Sequence, residues 1–324
     1  MAMQHQVKHD VIKEVIITMS NTQEFKPVRK AVFPVAGLGT RFLPVTKVLP
    51  KEMLPINDRP LIQHVIDEAK QAGIEEFIFV TGRNKEMLEE HFDYQPELMQ
   101  TLKDRNKQEE LEKVRETNMP EGRFFLTRQA KPLGLGHAVW CARRLVGNEP
   151  FAVLLPDELI QNDVGCLAQM IEVYNKTGGN IVAVEEVEKE ETQNYGIIDT
   201  PDNGGVMKVN GMVEKPKPEN APSNFSIIGR YILQPEVFDE LASFETGAGG
   251  EIQLTDNMAK LIDRQPFHAT TFKGLRHDAG RRGGFIKANV MYGLQDPKIG
   301  GTLRKEILKL AEELRNEEQL KGAA

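Results

Sequence analysis

The sequence predicts an α/β fold: a mixed, mostly parallel sheet flanked by helices, carrying a smaller antiparallel β lobe. Three observations predict it. Between Lys30 and Val187, short apolar runs alternate with amphipathic stretches, the rhythm of a parallel sheet with crossover helices. The first run, Ala31 to Val35, enters a glycine-rich turn, and such sheets bind ligands beyond the carboxyl ends of their strands. After Gln193 the chain changes to short β-like pieces separated by Gly, Pro and Asn, which reads as antiparallel.

Lys30 to Val35 reads as a buried strand. Pro60 occupies a first helical turn. Leu61, Ile62, Val65, Ile66, Ala69 and Ala72 share one helical face, and Gly73 is placed to stop that helix. Phe77 to Thr81 is a second strand and Glu86 to Phe92 a helix. Residues 97–117, rich in Lys, Arg and Glu, read as an exposed helix rather than a binding patch. Phe124 to Thr127 is a third strand, Gly136 to Leu145 a helix, and Phe151 to Leu155 a fourth strand ending in Pro156-Asp157. A helix over Asp163 to Lys176 and a strand over Ile181 to Val187 follow. Gly196 to Ile198, Val206 to Val209 and Met212 to Glu214 form the lobe, before a longer strand, Phe225 to Leu233. Gly249 to Arg264 opens on glycines and continues as a helix. Thr302 to Leu320 carries Leu303, Ile307, Leu310 and Leu314 at four-three-four spacing, a stripe that either packs on the body or pairs with another subunit.

A chain of 324 residues suits one large domain with an embedded lobe. Residues 1–27 are expected to be a flexible tail, 28–300 the main domain with its lobe at about 190–235, and 301–324 a C-terminal helix able to oligomerise. The net charge of −7, from 41 basic and 48 acidic residues, argues against a nucleic-acid surface. It leaves room for a nucleotide pocket, where local cations decide. No apolar run reaches membrane-spanning length. Val15 to Met19, directly preceded by Lys13 and Glu14, lacks the features of a signal peptide. Cys141 and Cys166 have no partner at metal spacing and read as small buried residues, the usage of a reducing cytoplasm.

Gly37-Leu38-Gly39-Thr40-Arg41-Phe42-Leu43-Pro44 is followed by Lys47 and by Pro50-Lys51-Glu52-Met53-Leu54-Pro55. Two glycines let backbone approach a ligand closely, and the cations suit a polyphosphate. Two familiar nucleotide motifs fail on spacing. A dinucleotide fingerprint wants a third glycine where Phe42 stands, and Pro44 would end its helix. A Walker loop wants four residues between glycines and then Gly-Lys-Ser/Thr. The loop therefore stays irregular from Gly37 to about Pro55. Asp157, directly after an apolar strand, is the best metal candidate from the residues alone, since magnesium prefers carboxylates and phosphate oxygens. A turn cap is the plainer reading of the same residue.

These stretches resemble the sugar-1-phosphate nucleotidylyltransferases, and within them the bacterial UTP–glucose-1-phosphate uridylyltransferases. The likeness continues through Gln129 to Ala138, Leu155-Pro156-Asp157, Asn194-Tyr195-Gly196, Val213-Glu214-Lys215-Pro216 and Gly249 to Asp256, and covers roughly Arg29 to Leu294. The resemblance implies the Rossmann-like fold of nucleotide-diphospho-sugar transferases and a magnesium-dependent reaction: UTP plus glucose 1-phosphate giving UDP-glucose and pyrophosphate. It implies triphosphate contacts from Ala36, Gly37, Leu38, Gly39, Thr40 and Glu52, with Arg41 and Lys51 stabilising the reacting phosphates. It assigns Gln129 and Gly134 to the base, Gly196 and Glu214 to the sugar, and Lys215 to the sugar phosphate. Asp157 is implied as a magnesium ligand and Asp278 as a second one, although His277 and Ala279 replace the commoner flanking Tyr and Cys.

The residues add two expectations. Pro216 should push Lys215 towards extended backbone, so that Glu214 and Lys215 point apart. His64, His91 and His277 read as packing or surface residues, and Arg281-Arg282 as a solvated loop. A homodimer or homotetramer is expected. Alternative functions are a catalytically weak UDP-glucose-binding regulator and a thymidylyltransferase using dTTP. A nicotinamide oxidoreductase is opposed by Phe42.

Overall fold

The computed structural model describes residues 25–322. The expected tail lies, up to residue 24, outside the described residues. Phe25 already packs against Tyr174, ring centroids 5.9 Å apart.

The strands, in chain order, are β1 (Lys30–Pro34), β2 (Pro55–Ile56), β3 (Arg59–Pro60), β4 (Glu76–Thr81), β5 (Phe124–Arg128), β6 (Phe151–Leu154), β7 (Glu158–Gln161), β8 (Asn180–Glu186), β9 (Gly196–Asp199), β10 (Val206–Lys208), β11 (Gly211–Glu214), β12 (Phe225–Leu233), β13 (Phe267–Thr270) and β14 (Leu275–Asp278). Ten of them form one sheet with the path β10-β13-β8-β12-β6-β1-β4-β5, and β9 and β11 branch from β12. Pairings β6-β1, β1-β4, β4-β5 and β8-β13 are parallel, while β12 runs antiparallel to both β6 and β8.

Period-two alternation explains why the strands read as continuous apolar runs. In β1, Ala31 and Phe33 enter the core on one face, with Phe79, Ile62 and Val65. Val32 enters the other, with Ile78, Val153 and Val139. Helices Leu61–Gln71 and Cys166–Thr177 cover the first face. Truncating fully buried Phe79 to Ala would cost about 3–5 kcal/mol.

The structure refines four elements. Residues 97–117 fold as two helices, Pro96–Asp104 and Gln108–Thr117, divided at Asn106 with φ 55°. Each buries one apolar side chain, Met99 or Leu111, and leaves most of its charge in water. The expected long helix after Gly249 is shorter, Leu254–Ala259: Gly249 and Gly250 take positive φ and delay its start, and residues 260–264 continue as turns. In the lobe, β9 and β11 pair antiparallel as expected, but β10 pairs with distant β13. In the C-terminal helix, Gly300–Gly322, Leu303 packs towards Gly293 while Leu310 and Leu314 are exposed.

Candidate active site

The carboxyl ends of β1, β5 and β6 open on one side, and their following residues line two adjoining cavities. The first, about 420 Å³, is lined by Ala36, Gly37, Leu38, Gly39, Thr40, Gln129 and Gly134 among others. The second, about 270 Å³ and more polar, is lined by Arg41, Asp157, Gly196, Glu214, Lys215 and Asp278 among others. Leu135, Leu155 and Glu251 line both, so the two spaces adjoin.

The opening loop is irregular as expected, a series of short 3₁₀ turns from Thr40 to Met53. Gly39 has φ 64°, the left-handed region, and its carbonyl accepts from Thr46 Oγ1 at 2.7 Å. Phe42, the residue that breaks the dinucleotide pattern, packs edge-on against Phe285 at 5.5 Å. Beside it the Arg41 carbonyl accepts from Arg282 Nε at 2.9 Å. The structure thereby separates the three cations of the loop. Arg41 lines the second cavity, Lys51 bonds to Asp157, and Lys47 is exposed and lines neither cavity.

Glu52, expected among the nucleotide contacts, sits behind the loop. Its carboxylate is buried and accepts from Lys85 Nζ at 2.6 Å, so it braces the loop from beneath and lines neither cavity.

Gln129 follows β5, and its backbone N–H donates to the Thr81 carbonyl at 2.9 Å. Its side-chain Nε2 donates to the Gly134 carbonyl at 3.0 Å and faces His137 Nδ1 at 3.1 Å. A carbonyl only accepts, so the amide must present its nitrogen there. Its carbonyl oxygen takes no hydrogen bond among the described residues. Gly134 has φ 105°, and a Cβ on it would lie 2.8 Å from the Glu251 Cβ. Only glycine fits this crossing of two chains.

Asp157 and Asp278 come from different sheets. Asp157 follows β6; Asp278 ends β14, which pairs with β7 so that Asp278 stands opposite Glu158. A Cβ on Gly280 would lie 2.5 Å from Asp157 Oδ2 and 3.1 Å from Asp278 Oδ1, so both carboxylates converge beside that residue. Two carboxylate oxygens facing a phosphate-sized space suit a hard divalent cation completed by substrate oxygens. The Asp157 carboxylate accepts from Lys51 Nζ at 2.7 Å. Burial pushes the Asp157 carboxyl upward, but the Lys51 ammonium overrides it and holds the group below its ordinary value. Asp278 pairs with Arg281 Nε at 3.1 Å. Arg281 also lines the second cavity, so this expected loop arginine belongs to the site.

Glu214 and Lys215 contradict their expected divergence. Lys215 has φ 47° rather than an extended backbone, its N–H donates to the Tyr195 carbonyl at 2.9 Å, and its Nζ meets Glu214 Oε1 at 2.8 Å. That backbone hydrogen bond holds the left-handed turn against the local preference set by Pro216. Glu214 is paired in register with Gly196, where a Cβ would lie 3.2 Å from Glu214 Oε2 and 2.8 Å from Thr255 Oγ1.

The histidines set aside on sequence have structural partners. His64 Nε2 lies 3.1 Å from the Ile56 carbonyl, His91 Nε2 3.0 Å from Gln63 Oε1, and buried His277 Nε2 3.2 Å from Gln161 Oε1. Both cysteines are unpaired thiols, and burial pushes each thiol up. Among the described residues no helix is long and apolar enough to cross a membrane.

A close-approach glycine loop facing a polar cavity across a pair of acids is the arrangement of an enzyme that transfers a nucleotidyl group. The chain belongs to the nucleotidyl transferase family, whose model matches residues 30–293. It is 53% identical over 258 residues to a UTP–glucose-1-phosphate uridylyltransferase of Komagataeibacter xylinus, covering 79% of this chain and 91% of that one. It is 48% identical over 297 residues to the enzyme of the same name from Bacillus subtilis, covering 91% and 100%. A solved UTP-bound UGPase of Acinetobacter baumannii superimposes with a TM-score of 0.81 at 41% identity, covering 87% of this chain and 99% of that one.

Proposed function

We propose that this chain transfers the uridylyl group of UTP to α-D-glucose 1-phosphate, giving UDP-glucose and pyrophosphate. The observation that carries the reading is the adjacency of the two cavities, the glycine loop lining one and Arg41 with Asp157, itself bonded to Lys51, lining the other. The first cavity takes the nucleotide and the second the sugar phosphate. The activity named for relatives about half identical to this chain supports the same assignment.

The base faces Gln129. With its amide nitrogen committed to Gly134, the Gln129 carbonyl accepts from the ring N–H of uracil. Cytosine has an acceptor, not an N–H, at that ring position. Thymine does, and comparing UTP with dTTP separates the two nucleotides. Glu214, against Gly196, accepts from sugar hydroxyls, and Lys215 holds the attacking phosphate.

That phosphate is already anionic, so no side chain has to remove a proton. Its oxygen attacks the α-phosphorus in line with departing pyrophosphate, and the protein aligns the groups and offsets their charge. Arg41 and Lys51 stabilise the triphosphate and the leaving group. Asp157 and Asp278 are the residues that would hold magnesium, which when bound draws charge from the α-phosphoryl group.

The enzyme is proposed to work in the cytoplasm as a homodimer or homotetramer, with exposed Leu310 and Leu314 in the contact. Sedimentation of the intact protein checks the assembly. Pyrophosphate release, measured across nucleotides and sugar 1-phosphates with and without magnesium, tests the reaction. No release with UTP and glucose 1-phosphate, or binding of UDP-glucose without turnover, overturns it.

A further inference from the structure

A fully buried guanidinium lies directly behind the Asp157 turn. Arg230 sits on β12, in register with Leu154 of β6. The register of β12 against β8 shifts between Ile227 and Tyr231. Within that irregularity Gly229 takes φ 81°, and its carbonyl accepts from the Leu155 N–H at 3.0 Å.

Arg230 Nη1 donates to the Leu155 carbonyl at 3.0 Å, and Nη2 to the Glu158 carbonyl at 2.6 Å. Leu155 and Glu158 are the two ends of a tight turn closed by the Glu158 N–H on the Leu155 carbonyl at 3.2 Å. One planar group therefore grips both ends of the turn that carries Asp157. Its other edge is anchored. Nε and Nη2 donate to Glu68 Oε1 and Oε2 at 3.1 and 2.9 Å. Glu68 Oε1 also accepts from the Leu167 N–H at 3.0 Å, at the start of helix Cys166–Thr177.

Neutralising a buried charge needs Glu68 alone. The further donors go to the backbone on either side of Asp157, and that choice points beyond a core strut. We infer that Arg230, braced by Glu68, is a positioning residue that fixes the Leu155–Glu158 turn and so aims the Asp157 carboxylate into the cavity. It touches no substrate and acts through the turn. Lysine in its place could pair with Glu68 but, as a point charge without the planar fork, could not hold both carbonyls as well. The effect on turnover rests on the proposed reaction; the effect on the turn does not.

The test uses Arg230→Lys, Glu68→Gln and Asp157→Asn in the full chain, together with the Arg230→Lys/Asp157→Asn double variant. Arg230→Lys should lower kcat by about ten- to a hundredfold, the usual consequence of a small misalignment. The KM for UTP should stay within about twofold, because the base and triphosphate contacts are untouched. Hydrogen exchange at the Leu155 and Glu158 amides should quicken by about tenfold or more. In the Asp157→Asn background, Arg230→Lys should cost less than about threefold further, the non-additivity of residues acting as a unit.

Unchanged kcat in a folded Arg230→Lys protein overturns the inference, as does an equal loss in both backgrounds. Glu68→Gln leaves both carbonyl bonds in place and should move kcat and exchange together, by a smaller factor. It carries the test if Arg230→Lys does not fold. A kcat loss without faster exchange, or no change in either, then overturns the inference. Wild-type protein that releases no pyrophosphate removes the proposed reaction, while the exchange comparison still decides the role of Arg230.

Discussion

Lys51 Nζ lies 2.7 Å from Asp157 Oδ2, and each residue holds the other charged. Burial works against the Lys51 ammonium, but Asp157 and Glu52 outweigh it and hold its pKa above the ordinary value of 10.5. Asp157 is held below its ordinary 3.8 by Lys51, again against burial. A depressed carboxyl contributes stability that is present above its unfolded pKa and lost as pH falls through the folded one. A raised ammonium contributes stability present below its unfolded pKa and lost as pH rises through the folded one. The stability difference between wild type and Asp157→Asn should therefore be flat between about pH 5 and 9 and shrink below about pH 4. Urea midpoints across pH check this.

Lys51→Ala should lower turnover by about a hundredfold, roughly 3 kcal/mol of transition-state stabilisation, while the circular dichroism spectrum is kept. Near-normal pyrophosphate release by the purified variant would remove Lys51 from the chemistry.

Lys215→Ala should also cost about a hundredfold in turnover, with the KM for glucose 1-phosphate rising and that for UTP little changed. Initial-rate measurements with each substrate varied in turn separate the two. A rise confined to the UTP KM would place Lys215 on the wrong substrate.

Gly134→Ala should destabilise the fold by about 1–3 kcal/mol, because its φ of 105° is strained for any side chain and the new methyl meets Glu251. The KM for UTP should rise, since Gly134 also fixes the Gln129 amide. Thermal unfolding and initial rates on the same preparation test both effects.

The parallel half of the sheet was legible because β1, β4 and β6 are buried on both faces and leave unbroken apolar runs. The strands that bring Asp278 to Asp157 were not. β7 and β14 are four residues each, and β14 contributes only His277 as a buried side chain. Such short polar strands leave no periodic trace, and their pairing spans more than a hundred positions of sequence. The glycine loop and Asp157 announced themselves by type and place; Gln129, Gly134, Gly196, Glu214, Lys215 and Asp278 were reached only through the family resemblance. Glu52 did not reveal its partner, since nothing local marks Lys85 as the cation beneath it. The positive φ of Lys215 was hidden for a related reason. The proline after it argues the other way, and only the distant Tyr195 carbonyl decides.

Gly280 carries a last consequence. Its α-carbon stands where two carboxylates meet, and a methyl group there fits only if Asp157 Oδ2 moves away. Exchanging it for alanine changes no charge, removes no hydrogen-bonding group and adds one carbon. Yet that carbon would crowd Asp157 Oδ2, and the carboxylate would have to shift to admit it. Variants of this gene should therefore include alleles of lowered activity that look conservative on paper, and Gly280→Ala is the first to test among them.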